Sequence, residues 1–257
     1  MSELAASLHV LPFAPPGIRP RSRLRIWLPA VLALAGFAAL PLDLPLARWI
    51  AAGRCPADLG RLLHLAEAYA HGFGVTAILL TAIVLDWRRR ELFPRAIATV
   101  AGAGLLANLL KMSLARTRPH AFSFAGDVWT TFGHWLPLSR AASDFESFPS
   151  GHMAAAAALT AVLIWLYPRG RWLFVTFALL AGGQRLYSTA HFLSDVAWGA
   201  AVGTFAASLF LPGGWLSLFD RFEAYLTRRR NYGVGGEKLR ASSAARGVQA
   251  AGCDSSR

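Results

Sequence analysis

Six apolar segments occupy most of the first 211 residues, and they constrain the fold more than any other feature of the chain. They cover residues 26–42, 65–85, 94–114, 153–167, 172–186 and 192–211. A membrane-spanning helix needs about 20 mainly apolar residues, so the helices of the shorter fourth and fifth segments should extend past their apolar stretches. The chain is 55% hydrophobic and only 16% charged, which is unusual for a soluble protein. The sequence therefore predicts an all-α, polytopic membrane protein with six transmembrane helices.

The distribution of positive charge predicts how these helices are oriented. The formal charge of +12 would suggest a nucleic-acid partner in a soluble protein, but most of the cations lie between or beyond the apolar segments. If successive segments alternate in direction, 18 Lys and Arg residues fall on one side and 8 on the other. The positive-inside rule then predicts cytoplasmic termini and a multi-pass location in a bacterial inner membrane, with no nucleic-acid partner.

Three regions follow from these patterns. Residues 1–25 are predicted to form a cytoplasmic N-terminal arm, with a cleaved signal peptide as the less favoured alternative. Residues 26–211 would form the six-span domain. Residues 212–257 are basic and rich in Gly, Ala and Ser, which predicts a largely disordered cytoplasmic tail, with a short interfacial helix at 215–226.

A short polar motif precedes the fourth apolar segment and has the properties of a helix entrance. Pro149 suits the edge of a helix, and Ser150 is a good N-cap residue. Gly151 allows a ligand to approach the backbone, and the free N–H groups of a helix N-terminus can bind phosphate. His152 adds a titratable proton donor at the same point.

Basic residues border the third and fifth segments. Lys111, Arg118 and Arg185 are candidates for surrounding a phosphate group, whose transition state spreads negative charge over its oxygens. Lys111 and Arg118 would share a helix face if the third helix continues to Pro119. The alternative is that these side chains only anchor the ends of the helices at the membrane surface.

His191 and Asp195 stand four residues apart at the start of the sixth segment. On a helix, they would share a face, and the carboxylate could hold one imidazole N–H and leave the other nitrogen as a nucleophile. A packing pair between two polar side chains is the alternative.

The three motifs read Lys-x6-Arg-Pro at 111–119, Pro-Ser-Gly-His at 149–152 and Arg-x5-His-x3-Asp at 185–195. Together they resemble the type 2 phosphatidic acid phosphatase (PAP2) superfamily, which includes bacterial lipid phosphatases and vanadium haloperoxidases. The family usually has Ser before the Arg of the third motif, whereas this chain has Gln184. Because Gln can still donate a hydrogen bond, it remains a phosphate-binding candidate.

The resemblance implies a PAP2/haloperoxidase-like helical bundle and assigns roles to the motif residues. His191 would attack phosphorus to give a phosphohistidine, and Asp195 would orient it. His152 would protonate the leaving oxygen and then activate water. Ser150 and Gly151 would donate hydrogen bonds to the phosphate. The resemblance also implies chemistry with no cofactor and no metal.

His64, Glu67 and His71 are predicted to share one helix face near the outer end of the second span. Two His and a Glu on one face can bind a metal ion. Polar contacts within the bundle, or a role near the substrate head group, are the other interpretations.

The sequence thus predicts an integral membrane lipid phosphatase that acts at the periplasmic face, with a lipid phosphate substrate and membrane lipids as its partners. The family resemblance allows phosphatidic acid, phosphatidylglycerophosphate, undecaprenyl pyrophosphate and lipid A as substrates. A lipid-to-lipid phosphotransferase would use the same residues. A transporter or a lipid-binding protein without catalysis is the alternative from another class.

Overall fold

The computed structural model describes residues 23–135, 143–212, 220 and 225, without the side chains of residues 23–26, 134 and 135. The predicted N-terminal arm, interfacial helix and tail lie almost entirely outside the described residues. Within them, the chain forms seven α-helices: α1 Arg23–Ala51, α2 Ala57–Leu65, α3 Gly72–Leu85, α4 Phe93–Ser113, α5 Gly151–Leu166, α6 Arg171–Tyr187 and α7 Leu193–Phe210.

One helix was predicted over the second apolar segment, residues 65–85, but in the structure α2 ends at Leu65 and α3 begins at Gly72. A 3₁₀ turn at Ala66–Tyr69 follows α2, and the axis then bends by 61° into α3. His71 has an extended backbone and caps α3 by accepting a hydrogen bond from the Phe73 amide. At the bend, a Cβ on Gly74 would overlap the Ala68 carbonyl oxygen, so this close turn requires glycine.

The predicted number of six spans is not confirmed. By length and composition, the helical stretches Trp27–Ala51, Trp87–Ser113 and Leu193–Phe210 can each cross a membrane, and the bent pair α2–α3 can supply a fourth span. The apolar helix α5 has only 16 residues. Large apolar side chains such as Leu65 and Phe73 are more than three-quarters exposed, as expected on surfaces that face lipid.

Small residues allow α5 and α7 to pack closely at the centre of the bundle. A Cβ on Gly203 of α7 would overlap the Ala154 carbonyl oxygen and lie 2.8 Å from the Ala157 Cβ. One turn earlier, Gly199 lies against Ser150 and Met153. Glycines spaced four residues apart are a common device for bringing membrane helices together. Here they place the first turns of α5 and α7 side by side.

The helix of the third apolar segment, α4, ends before Arg118, so the prediction that Lys111 and Arg118 share a helix face is wrong. Leu114 has extended dihedrals (φ −147°, ψ 112°), and Leu114–Arg116 forms strand β1. This strand pairs antiparallel with β2, Phe132–Trp135, with Arg116 opposite Phe132. Arg118 is itself extended, because a residue before proline avoids the helical region.

Candidate active site

The three motifs meet at one end of the bundle, where main-chain hydrogen bonds join the segments that carry them. The Arg118 amide donates to the Asp144 carbonyl oxygen at 2.7 Å, and the Ser147 amide donates to the Arg116 carbonyl oxygen at 3.0 Å. The Ser150 amide donates to the carbonyl oxygen of Asp195 at 3.0 Å. These bonds fix the entrance of α5 relative to β1 and to the first turn of α7.

His191 lies in the turn between α6 and α7, and only 3% of it is exposed. Its Nδ1 is 2.6 Å from the carbonyl oxygen of Ser147. Because a carbonyl oxygen can only accept, Nδ1 carries the proton and Nε2 keeps a lone pair. Burial, together with the positive charges of Arg118 and Lys111, holds the pKa of His191 well below its ordinary value. A neutral imidazole with one free nitrogen is the nucleophilic form.

The prediction that Asp195 holds the His191 imidazole is incorrect. The helix α7 begins at Leu193, so His191 precedes the helix and does not share a face with Asp195. The carboxylate instead accepts from the Phe192 amide at 2.9 Å, from Ser147 Oγ at 2.6 Å and from Arg116 Nη1 at 2.5 Å. A carboxylate in the first turn satisfies amide groups that have no partner within the helix. Asp195 is therefore connected to His191 by hydrogen bonds through Ser147.

The three predicted cations lie around His191, and each has a different environment. Lys111 Nζ is 3.8 Å from Glu146 Oε2. Arg185 Nη2 donates to Glu67 Oε1 at 2.7 Å. The Nε of Arg118 is buried and has no hydrogen-bond partner in the described part of the chain. A buried donor without a partner costs about 1–3 kcal/mol, so an anion placed here would be stabilised.

The entrance of α5 has the predicted form. Ser150 caps the helix by accepting from the Met153 amide at 3.3 Å, which confirms the N-cap prediction. No atom lies within 4 Å of a Cβ built on Gly151, so the first turn is open on this side. The half-buried ring of His152 lies with its centroid 5.8 Å from that of His71.

Gln184 does not have the environment predicted for a phosphate donor. It is 1% exposed, and its amide group donates to Glu67 Oε2 at 3.2 Å while its oxygen accepts from Arg185 Nε. Both ends of the side chain thus hold Glu67 and Arg185 in place. The Gln184 side chain is longer than the usual serine and reaches Glu67 in the turn after α2. Its amide group is therefore bound to Glu67 and is not directed at a phosphate.

The residues His64, Glu67 and His71 have separate neighbours. The ring of His64 packs edge-on against Tyr187 with centroids 5.4 Å apart, Glu67 pairs with Arg185, and His71 lies against His152. Among the described residues, no three His, Cys, Asp or Glu side chains are grouped so that they could hold a metal ion. Glu67 and His71 are therefore neighbours of the predicted site residues.

Sequence reasoning missed a buried polar cluster behind His191. Arg116 is fully buried and forms ion pairs with Asp43 of α1, at 2.7 Å, and with Asp195. Ser194 also donates to Asp43 through its amide group, at 2.9 Å. The signal for this cluster in the sequence was Asp43, which directly follows the first apolar segment. A carboxylate next to a membrane-spanning segment requires a buried partner.

Comparison with known proteins gives the family. Residues 95–217 match the model of the PAP2 superfamily, so the chain contains a PAP2 superfamily domain, and the resemblance predicted from the three motifs is confirmed.

Two relatives have the name lipid A 1-phosphatase. The protein of Rhizobium etli is 39% identical over 137 residues, which cover 53% of this chain and 50% of that protein. The protein of Rhizobium johnstonii is 38% identical over 128 residues, or 50% and 48% of the two chains. The chain thus spans about half the length of the curated relatives it matches. The crystal structure of Aquifex aeolicus LpxE aligns with a TM-score of 0.49 and 23% identity, covering 65% of this chain and 92% of that one.

Proposed function

We propose that the protein is a membrane lipid phosphatase that hydrolyses a phosphate ester or pyrophosphate through a phosphohistidine on His191. The observation that carries this proposal is the environment of His191. Its Nδ1 proton is held by Ser147, so Nε2 keeps its lone pair, and the charges of Lys111, Arg118 and Arg185 act on the same ring. A nucleophile surrounded by cations is suited to an anionic ester.

The phosphate would bind among Lys111, Arg118 and Arg185, with Arg118 Nε gaining the partner that it lacks among the described residues. The Gly151 amide, at the N-terminus of α5, adds a donor and a favourable helix dipole. The Ser150 amide already donates to the Asp195 carbonyl oxygen, so the hydroxyl is the donor that Ser150 can offer. Among these groups, the transferring phosphoryl group is stabilised mainly by positive charge and position, as this reaction requires.

The reaction then needs two proton transfers by His152. The Nε2 lone pair of His191 forms a bond to phosphorus while the bond to the leaving oxygen breaks, and His152 donates a proton to that oxygen. In the second step His152 removes a proton from water, the water oxygen attacks phosphorus, and the N–P bond breaks to release inorganic phosphate.

Glu67 would keep Arg185 aimed at the phosphate, and Asp195 would position His191 through Ser147. The cations replace the charge that a metal ion supplies in other phosphatases, so the proposed chemistry is metal-independent.

Lipid A is the first candidate among the four lipid classes that the family resemblance allows. The two relatives named lipid A 1-phosphatase support this choice. The test is to offer the purified protein phosphatidic acid, phosphatidylglycerophosphate, undecaprenyl pyrophosphate and lipid A, and to measure free phosphate. We expect release from lipid A to be fastest. Phosphate that appears on a second lipid and not in solution would identify a phosphotransferase, and no release from any substrate would refute the proposal.

We further propose that six helical units cross the bacterial inner membrane, with both termini in the cytoplasm and the site at the periplasmic face. The charge asymmetry of the sequence supports this orientation. Cys55 follows α1, the helix that supplies Asp43 to the cluster behind His191, and it is partly exposed. An impermeant thiol reagent added to spheroplasts should label Cys55 and lose that label in Cys55→Ser. Labelling of Cys253 from outside would contradict the orientation.

A further inference from the structure

The side chain of Arg116 is enclosed on every side although it carries a full charge. Its exposure is 0%, and its guanidinium lies between the rings of Phe132 and Phe192, with Cζ 4.4 Å from each centroid. Nε donates to Thr131 Oγ1 at 3.0 Å. Each edge of the group therefore meets a defined partner, and the planar fork has one orientation.

Two carboxylates from distant parts of the chain share this guanidinium. Nη2 is 2.7 Å from Asp43 Oδ2 on α1, and Nη1 is 2.5 Å from Asp195 Oδ1 on α7. Ser194 adds a third link, because its hydroxyl accepts from Arg116 Nη1 at 2.7 Å and donates to Asp43 Oδ2 at 2.5 Å. Both carboxylates are 0% exposed.

Such a cluster is a weak source of stability. Removing two carboxylates and a guanidinium from water costs several kcal/mol per ion, and well-packed apolar residues often stabilise a protein as much or more. A hydrogen-bonded ion cluster fixes the orientation of its side chains, which an apolar contact does not do. Here the cluster fixes the position of Asp195, which is connected to His191.

The path from the cluster to the imidazole has two further hydrogen bonds. Asp195 Oδ2 accepts from Ser147 Oγ at 2.6 Å, and the carbonyl oxygen of the same Ser147 accepts from His191 Nδ1 at 2.6 Å. A shift of Asp195 therefore moves the residue that sets the direction of the His191 lone pair.

We propose that Asp43 and Arg116 are positioning residues of the phosphatase site: they hold Asp195 and Ser147 so that the Nε2 of His191 points at the phosphate. This inference rests on the proposed function for its effect on rate, but not for its effect on the imidazole. Asp43 lies outside residues 95–217, which match the family model. The first helix thus becomes part of the catalytic apparatus.

The test uses Asp43→Asn, which keeps the size of the side chain and an acceptor for the Ser194 amide but removes the charge that holds Nη2. In the full chain, we expect kcat to fall about 100-fold, the loss typical of a nucleophile misplaced by about 1 Å. The affinity for inorganic phosphate should stay unchanged, because Lys111, Arg118 and Arg185 are intact. In ¹⁵N-histidine spectra, the Nδ1–H signal of His191, assigned with His191→Gln, should move.

Arg95→Lys is the matched control. Arg95 is also buried, and its Nη2 pairs with Asp220 at 2.6 Å, but it lies in the first turn of α4, about 24 Å along the helix from Lys111. We expect Arg95→Lys to lower the melting temperature while kcat per folded molecule and the His191 signal stay unchanged. If Asp43→Asn does not fold, Ser194→Ala should show the same changes at smaller amplitude.

The outcomes separate this inference from the proposed function. An unmoved His191 signal in folded Asp43→Asn would overturn the inference, as would a rate that falls only in proportion to the folded fraction. If the wild-type protein releases no phosphate from any lipid but the signal still moves, the proposed function fails while the positioning of the imidazole by Asp43 and Arg116 is supported.

Discussion

Replacing Gly199 by alanine should slow turnover strongly, because the added methyl group has no space between α7 and the entrance of α5. A Cβ at this position would overlap the carbonyl oxygen of Ser150 and lie 3.0 Å from the Met153 Cβ, where ordinary contact begins at 3.4 Å. The obstructing oxygen belongs to the backbone, so relief requires the helices to separate by on the order of 1 Å. That movement would stretch the hydrogen bond from the Ser150 amide to Asp195.

The size of the effect follows from this displacement. A 1 Å misplacement of reacting groups costs about 100-fold in rate, and overpacking costs about 1–3 kcal/mol of stability. We expect kcat of Gly199→Ala to fall about 100-fold, with a lower melting temperature. The assay is phosphate release from the best lipid substrate, normalised to folded protein.

The control is Gly104→Ala, in the middle of α4, where no atom lies within 4 Å of the new Cβ. An alanine there should leave kcat unchanged and stabilise the helix by about 0.5–1 kcal/mol. Wild-type turnover by Gly199→Ala, or an equal loss of turnover in Gly104→Ala, would refute the argument that the spacing of α5 and α7 sets the geometry of the site.

Three further predictions concern the chemistry. In His152→Ala, the first step, which releases the leaving group and forms the phosphohistidine, should slow about 10²–10⁴-fold with a lipid alkoxide leaving group and much less with a nitrophenolate, which scarcely needs a proton. The rate of this step is measured in a single turnover, and equal losses would contradict the role of His152 as general acid. Because the pKa of His191 is lowered from 6.5, the neutral nucleophile should persist below that pH. The acid limb of kcat/KM, corrected for titration of the substrate, should therefore lie below 6.5, and a limb above it would contradict the assignment. Activity should also survive a chelator, because Lys111, Arg118 and Arg185 supply the positive charge, whereas loss that zinc or magnesium restores would place a metal ion in the site.

Features that depend on neighbouring residues were predictable from the sequence. The N-cap at Ser150 follows from the residue type and the apolar run after it, and the structure has it. The six apolar segments correspond to helical regions in the structure, because burial and lipid contact both require apolar residues there. The bend before α3 was missed, since His71 and Gly72 stand inside a continuous apolar pattern.

Features that depend on distant partners were not predictable. The end of α4 at Ser113 depends on the pairing of β1 with β2, and 15 residues separate these two strands. The position of Asp195 was mistaken because α7 begins two residues after His191, which removes the helical spacing. Gln184 and Arg185 find Glu67 more than 115 positions away, and no local pattern signals such a pairing.

Arg116 shows the same limit in a single residue. In the sequence it is one of several cations outside the apolar segments, and the charge count treats it as a topology signal. Only the fold brings Asp43 and Asp195 to its two nitrogens, so its role depends on contacts that span more than 70 positions on either side.

The most direct test of the central claim is to trap the phosphoenzyme. The protein is mixed with a radiolabelled nitrophenyl phosphate or lipid phosphate, quenched in base, and examined for acid-labile phosphate on histidine. We predict that His152→Ala accumulates phosphohistidine, because it still accepts a phosphoryl group from a good leaving group but cannot activate water, and that His191→Ala gives none. The reverse pattern would exchange the two roles, and the absence of phosphohistidine in both variants and in the wild type would contradict nucleophilic attack by His191.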